Sequence, residues 1–302
     1  MSQKPMTTDT LSEAETLVPL PDGRMLSFSV YGPEDGIPWV LHHGTPGSRI
    51  STDESIYYEL GIQVICPERP GYGRSSPNPQ ASYASWVKDV VSLLDFLGLE
   101  SVHVGGVSGG GAFAAACASM ASERFRSLSL MASVAPPETE QDRTGMARAN
   151  RWGFWALKYM PWLAKWGSNQ FAKNLLKDPE AVLAQMNRQL CEADQQIMER
   201  LRATGEMEFL VEHLKEAFRQ GAAGHIKDMN LLANPWNLPL NRIECPVHVW
   251  HGTEDTLSPI QGAHAWKRLL PDANLRVKSG AGHLLMEEHA LQAEILQQLV
   301  DP

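Results

Sequence analysis

Val102-His103-Val104-Gly105-Gly106-Val107-Ser108-Gly109-Gly110-Gly111 runs straight into Ala112-Phe113-Ala114-Ala115-Ala116. A β-branched apolar run leads into a glycine-flanked serine, and an alanine-rich segment leads away. The pattern predicts a strand, a tight turn and a helix, with Ser108 at the apex. Gly106 and Gly110 hold the outer positions of a G-x-S-x-G pattern, where only small residues let strand and helix close around a strained serine. Such a turn exposes the hydroxyl and aims a helix N-terminus at it, which suits a nucleophile that must stabilise a developing oxyanion. The same five residues also fit a glycine-rich turn that binds a phosphate or merely connects two elements. The choice between these readings rests on the rest of the chain.

Outward from this stretch the chain alternates. Thr16–Leu20 and Met25–Tyr31 read as a hairpin around Pro21-Asp22-Gly23-Arg24. Pro38–His42 reads as a buried strand, Ser48–Leu60 as a helix and Ile62–Cys66 as a strand. A Gly/Pro-rich loop, Pro67 to Ser76, follows it. In Tyr83–Leu97, Trp86, Val90, Leu93, Leu94 and Leu97 fall at helical spacing, with Gly98 as the stop. Ser127–Ala132 is the next strand. Alternation of this kind implies a parallel sheet with right-handed crossovers.

The alternation breaks between about residues 136 and 235. Helical segments are expected there at Gly145–Leu157, Ala181–Ala203 and Glu206–Arg219. Trp152, Phe154, Trp155, Tyr159, Trp162 and Trp166 crowd one short stretch of this block. At helical spacing they read first as the core of a helical subdomain; Trp152 and Trp155 are also candidate substrate contacts. Glu199, Glu206, Glu208 and Glu212 read as solvated helix faces rather than as a site for a substrate amine. The strand and helix pattern then resumes with Pro246–Trp250, Ile260–Leu270, Leu275–Lys278 and Ala290–Val300. The expected organisation is a polar lead-in at 1–14, an α/β domain formed by 15–135 and 236–302, and a helical insertion at 136–235.

Composition limits the function classes. The chain has 302 residues, 43% of them hydrophobic and 20% charged, which suits one large domain or a domain with an insertion. A net charge of −9 argues against nonspecific nucleic-acid binding. Cys66, Cys117, Cys191 and Cys245 are far apart and form no C-x-x-C pair; Cys66 and Cys117 read as buried thiols. Met1–Thr10 is polar, unlike a signal peptide, and no apolar run approaches the length of a membrane span. The expectation is a soluble cytoplasmic protein without membrane insertion.

In an open α/β sheet, functional groups gather at the carboxyl ends of strands. Two loops there carry titratable residues: His251-Gly252-Thr253-Glu254-Asp255-Thr256 and Ser279-Gly280-Ala281-Gly282-His283. A serine hydroxyl needs an imidazole to take its proton, and the imidazole needs a carboxylate to hold its tautomer. The order Ser108, Asp255, His283 is that expected for a nucleophile on a tight elbow. Glu254 competes with Asp255 for the carboxylate, and alternation of facing past the strand leaves one of the two to reach His283. His42, His43, His103 and His251 read as packing or bracing residues.

With these pieces in place, the chain resembles the α/β-hydrolase fold superfamily. The resemblance rests on His43-Gly44-Thr45-Pro46-Gly47, Glu68-Arg69-Pro70-Gly71-Tyr72-Gly73-Arg74-Ser75, Gly106-Val107-Ser108-Gly109-Gly110, Gly252-Thr253-Glu254-Asp255 and Gly280-Ala281-Gly282-His283. It implies a mostly parallel eight-stranded sheet flanked by helices, with a helical cap inserted between the sixth and seventh strands. Ser108 would be the nucleophile, His283 the base, Asp255 its orienter, and the backbone N–H groups of Thr45 and Gly109 the oxyanion hole. No metal or organic cofactor is implied, and the partner would be a small-molecule substrate. The expected activity is hydrolysis of an ester of a small to medium apolar substrate through an acyl-enzyme. The alternatives are a proline-iminopeptidase-like aminopeptidase and a low-turnover small-molecule-binding protein on the same scaffold. Thr45 and Gly109 stand where the aminopeptidase branch usually has Gly and Trp, which weakens that alternative. A serine nucleophile points away from the dehalogenase and epoxide-hydrolase branches, which use Asp. Glu68 stands where the family often has Asp, a change expected to be structural.

Overall fold

The computed structural model describes residues 16–50, 54–137, 145–146 and 148–300. The lead-in at 1–14 therefore lies outside the described residues. Eight strands form one sheet: β1 (Leu17–Pro19), β2 (Met25–Tyr31), β3 (Ile37–His42), β4 (Ile62–Pro67), β5 (Val102–Val107), β6 (Phe125–Met131), β7 (Val247–Gly252) and β8 (Asn274–Lys278). Their order across the sheet is β1-β2-β4-β3-β5-β6-β7-β8. The β1–β2 and β2–β4 pairs are antiparallel, and every other pair is parallel.

The central strands, β3 to β7, are largely apolar on both faces, and both faces are covered. Val40, Val104, Leu128, Leu130 and Val249 point into one cluster, against α2 (Tyr83–Leu97), α3 (Gly110–Met120) and α10 (Ile260–Leu269). Trp39, Val64, Met131 and Trp250 point into the other, against α1 (Ser55–Leu60) and α11 (His289–Val300). The alternation along β3 is explicit: Trp39 goes to one side and Val40 to the other. Gly105 belongs to this packing, since a Cβ there would come within 2.7 Å of the Trp39 ring. Alanines fill α3 for a related reason: Ala112 to Ala118 is buried on every side, between the sheet and α2.

The α2 segment forms over the expected span. Ser82 and Ser85 make a reciprocal capping box, and Gly98 ends the helix with φ 69°. The helix expected from Ser48 is shorter, beginning at Ser55. Tertiary bonds hold residues 48–50 in a loop: Ser48 Oγ accepts the Ile50 N–H and meets His213, and the Arg49 carbonyl accepts the Tyr31 hydroxyl. Ser, like Asp and Asn, readily trades helical bonds for such local ones.

Between β6 and β7 the chain forms α4 (Arg148–Tyr159), α5 (Pro161–Lys177), α6 (Pro179–Asn187), α7 (Glu192–Thr204), α8 (Met207–Ala217) and α9 (Ala223–Ala233). These helices depart from the expected segments. The span Ala181–Ala203 is broken at residues 188–191, where Thr256 donates to the Gln189 carbonyl and pins the turn to the loop after β7. Helices α5 and α9 lie outside the expected segments, although Pro161 marks the start of α5 as Pro179 marks that of α6. These helices have their own apolar centre, built on Leu175, Met198, Leu201 and Phe218. The aromatic run is no part of that centre, because Trp152, Trp155, Tyr159, Trp162 and Trp166 are all exposed. Among the described residues, no helix is long and apolar enough to cross a membrane.

Candidate active site

Ser108 sits between β5 and α3 with φ 54°, a left-handed conformation that is uncommon for any residue but glycine. The turn is held by Ser108 N–H to the Met131 carbonyl (2.9 Å) and by Gly111 N–H to the Ser108 carbonyl (3.2 Å). A Cβ on Gly106 would fall 2.4 Å from the Gly110 backbone, and one on Gly110 would fall 2.3 Å from the His42 carbonyl oxygen. Both flanking glycines are therefore obligatory for this path. Gly109 is the N-cap of α3, so its N–H belongs to the first turn, where backbone donors lack an intrahelical acceptor. Thr45 lies against it: a Cβ on Gly109 would be 2.6 Å from Thr45 Oγ1.

The other two candidates stand on loops after β7 and β8 that are laced together. Thr253 N–H donates to the Lys278 carbonyl (3.1 Å) and Glu254 N–H to the Ala281 carbonyl (2.9 Å). Gly252 permits the contact, since a Cβ there would be 2.2 Å from the Ala281 carbonyl oxygen. Asp255 is buried and Glu254 exposed, and it is Asp255 that reaches His283. His283 Nδ1–H donates to Asp255 Oδ2 at 2.7 Å, so the partner leaves Nε2 free to accept a proton. Asp255 Oδ1 accepts the N–H groups of Leu257 and Ser258, each at 2.8 Å. His251 Nε2–H donates to the Ser258 carbonyl at 2.6 Å and lies 3.4 Å from Asp255 Oδ2, bracing the same loop. No hydrogen bond joins Ser108 Oγ to His283 among the described residues; such contacts commonly tighten only with substrate bound.

Electrostatics separate the histidines. Burial would lower the His283 pKa, but the charge of Asp255, its hydrogen bond and the charge of Asp194 together raise it above 6.5. Burial would raise Asp255, and the two histidines with their hydrogen bonds hold it well below the usual carboxylate range. His42 is pushed down to about 3 by burial and by Arg69, and burial takes His103 down to about 4. Burial and Arg69 also put His43 far below 6.5. His103 bonds Ser127 Oγ and His43 bonds the Gly44 carbonyl, so both are bracing residues.

Three site neighbours were not assigned a role from the sequence. Arg69, fully buried, donates to the carbonyls of His43 and Gly44 (both 2.7 Å) and to Thr45 Oγ1 (3.0 Å), and its Nε bonds Asp228 on α9 (2.7 Å). Its guanidinium also lies 4.4 Å from the Phe113 ring centroid. Asp194 on α7 accepts the backbone N–H of His283. Arg69 stands in a quoted motif, where its burial could not be seen; Asp194 and Asp228 carry no local signal. Glu68, in place of the usual Asp, is buried and bonds Arg49, which also pairs with Glu216 on α8.

A small apolar cavity of about 30 Å³ lies beside the elbow, lined by Val134, Phe154, Leu232, Ser258 and Gly262 among others. A larger one, about 400 Å³, is lined by Tyr83, Met120, Trp236 and neighbours and holds none of the candidate residues. Trp152 and Trp155 stand on the exposed side of α4, 54% and 47% accessible.

Residues 38–290 match the family model of the alpha/beta hydrolase fold. The chain belongs to that family. It is 27% identical over 273 residues to a non-heme chloroperoxidase of Streptomyces lividans, covering 89% of this chain and 92% of the relative. It is 29% identical to a 2-hydroxymuconate semialdehyde hydrolase of Pseudomonas putida, over 85% of this chain and 84% of that one. Among solved structures it is similar to a thermophilic esterase from Thermogutta terrifontis, with a TM-score of 0.67 and 23% identity over 95% and 96% of the two chains.

Proposed function

We propose that the protein is a serine hydrolase that cleaves a carboxylic ester through an acyl-enzyme, with Ser108 as nucleophile, His283 as base and Asp255 as its orienter. The observation that carries this reading is the elbow. A non-glycine residue is held at φ 54° at the N-terminus of a helix, between two glycines that admit no Cβ. Strain of this kind persists only where the surroundings over-determine it, and here it presents a hydroxyl. The buried His283–Asp255 pair at 2.7 Å supports the same reading.

In this mechanism His283 Nε2 takes the hydroxyl proton as Ser108 Oγ attacks the ester carbonyl carbon. The oxyanion of the tetrahedral intermediate accepts the N–H groups of Thr45 and Gly109. His283 returns the proton to the alkoxide leaving group as the C–O bond breaks, and the alcohol departs. Water then attacks the acyl carbon, gives its proton to His283, and Ser108 leaves with that proton as the free acid forms. Asp255 stays ionised throughout, holding the imidazole. In this reading residues 136–235 are a cap over a core formed by 15–135 and 236–302.

Hydrolysis of activated acyl esters of increasing chain length, with a prolyl anilide beside them, tests the reading. Ester turnover lost in Ser108→Ala, and labelling of Ser108 by an organophosphonate, is the expected result. Undiminished turnover in that variant overturns it; preference for the anilide transfers the site to the aminopeptidase alternative.

A further inference from the structure

Helices α4 and α5, joined through Met160 alone, carry an unusual surface. Trp152, Trp155 and Tyr159 recur every three or four residues along the exposed side of α4, and Trp162 and Trp166 stand one turn apart on α5. Tyr159 and Trp162 are 59% and 68% accessible. Isolated exposed aromatics are ordinary, but five on one short helical pair are not. The buried side of α4 is accounted for by Ala156, and that of α5 by Ala172 and Leu175, so these aromatics are not the helices' packing face.

The charges on the pair are of one sign. Arg148, Arg151 and Lys158 on α4 and Lys165, Lys173 and Lys177 on α5 are exposed, and no Asp or Glu lies between residues 144 and 177. This stands in a chain whose net charge is −9. Indole and phenol rings beside amines suit the boundary between lipid headgroups and acyl chains: the ring enters the interface while the cation meets phosphate. The Lys158 ammonium already lies 5.2 Å from the Tyr159 ring centroid. A second copy of the chain, packed by two-fold symmetry on the same face, would set like charges against each other.

We infer that α4 and α5 form a peripheral docking surface for anionic lipid, lying in the headgroup plane without crossing the membrane. The surface would hold the protein at a bilayer by charge and by shallow aromatic burial together. Raised salt must therefore weaken it, and loss of either element must weaken it too.

The test is co-sedimentation of the full chain with vesicles of phosphatidylcholine alone or mixed with phosphatidylglycerol. The chain is expected to pellet with the mixed vesicles and to be released by salt. The pairs Trp162→Ser/Trp166→Ser and Lys158→Glu/Lys165→Glu should each weaken binding by about tenfold or more while leaving the thermal midpoint unchanged. Absence of binding to the mixed vesicles, or wild-type binding by either variant pair, overturns the proposal. So does a wild-type dimer in light scattering that the tryptophan pair dissociates, since a second copy would then cover the face.

Discussion

Asp194, buried on α7, accepts the backbone N–H of His283 at 2.8 Å with one carboxylate oxygen and that of Leu284 at 2.9 Å with the other. The inserted helices thus hold the main chain of the proposed base, while Asp255 of the sheet domain holds its ring. A Cβ on Gly282 would fall 2.4 Å from the Asp194 carboxylate, so the glycine before His283 is there to admit it.

Asp194→Asn keeps the size but removes the charge and one of the two acceptors. Stability should fall by about 2 kcal/mol, the scale of a lost charge-assisted hydrogen bond. Asp194 is one of the charges raising the His283 pKa, so its removal lowers that pKa. In the proposed mechanism His283 must be neutral to take the serine proton, so the acid limb of the kcat/KM profile should move to lower pH. A pH series on an activated ester measures this; a limb that stays in place would separate Asp194 from the electrostatics of the base.

Asp255 and His283 stabilise the fold in opposite pH directions. The carboxyl is held below its ordinary value, so its contribution is present above about pH 4 and fades as the pH falls below that. The His283 pKa is raised, so its contribution is complete below about pH 6.5 and fades as the pH rises through the folded value. The stability gap between wild type and Asp255→Asn should be widest between those limits and narrow on the alkaline side, as urea denaturation across pH will show. The same variant should lose on the order of 10⁴ in kcat with little change in KM.

Arg69 and Asp228 form a buried pair, and Arg69 also holds the loop that presents Thr45. Arg69→Met strands the carboxylate and should cost about 3–5 kcal/mol. The double variant Arg69→Met/Asp228→Leu should recover part of that stability without recovering kcat, because the Thr45 loop stays unheld. Denaturation midpoints and ester kinetics on the same two proteins decide it.

Glycines in this chain divide sharply by surroundings. Gly106→Ala or Gly110→Ala drives a methyl into backbone and should cost about 3 kcal/mol or more, at the upper end of overpacking. Gly153 and Gly167, inside α4 and α5, meet no heavy atom within 4 Å of an added Cβ. Alanine there should stabilise by about 0.5–1 kcal/mol each, read from thermal unfolding.

The order of strands and helices from β1 to β6, and again from β7 onward, is legible in the sequence because each element carries its own period and punctuation. Gly98 ends α2 and Gly106 admits α3 by local sterics alone. Motif order likewise places Ser108, Asp255 and His283 at strand ends, since a parallel sheet puts every such end on one edge. Helix phase and long-range partners are different in kind. The aromatic run from Trp152 to Trp166 has the same letters whether it faces a core or solvent, and only the docking of Ala156 and Leu175 turned it outward. Asp194, Asp228 and Arg69 reach their partners across 89, 159 and up to 159 residues of chain respectively. No local spacing encodes such contacts. Short-range sterics and periodicity therefore determined the frame and the serine turn from sequence, while burial and distant hydrogen bonds, which exist only once the chain has closed on itself, decided what steadies the site and which face is left open.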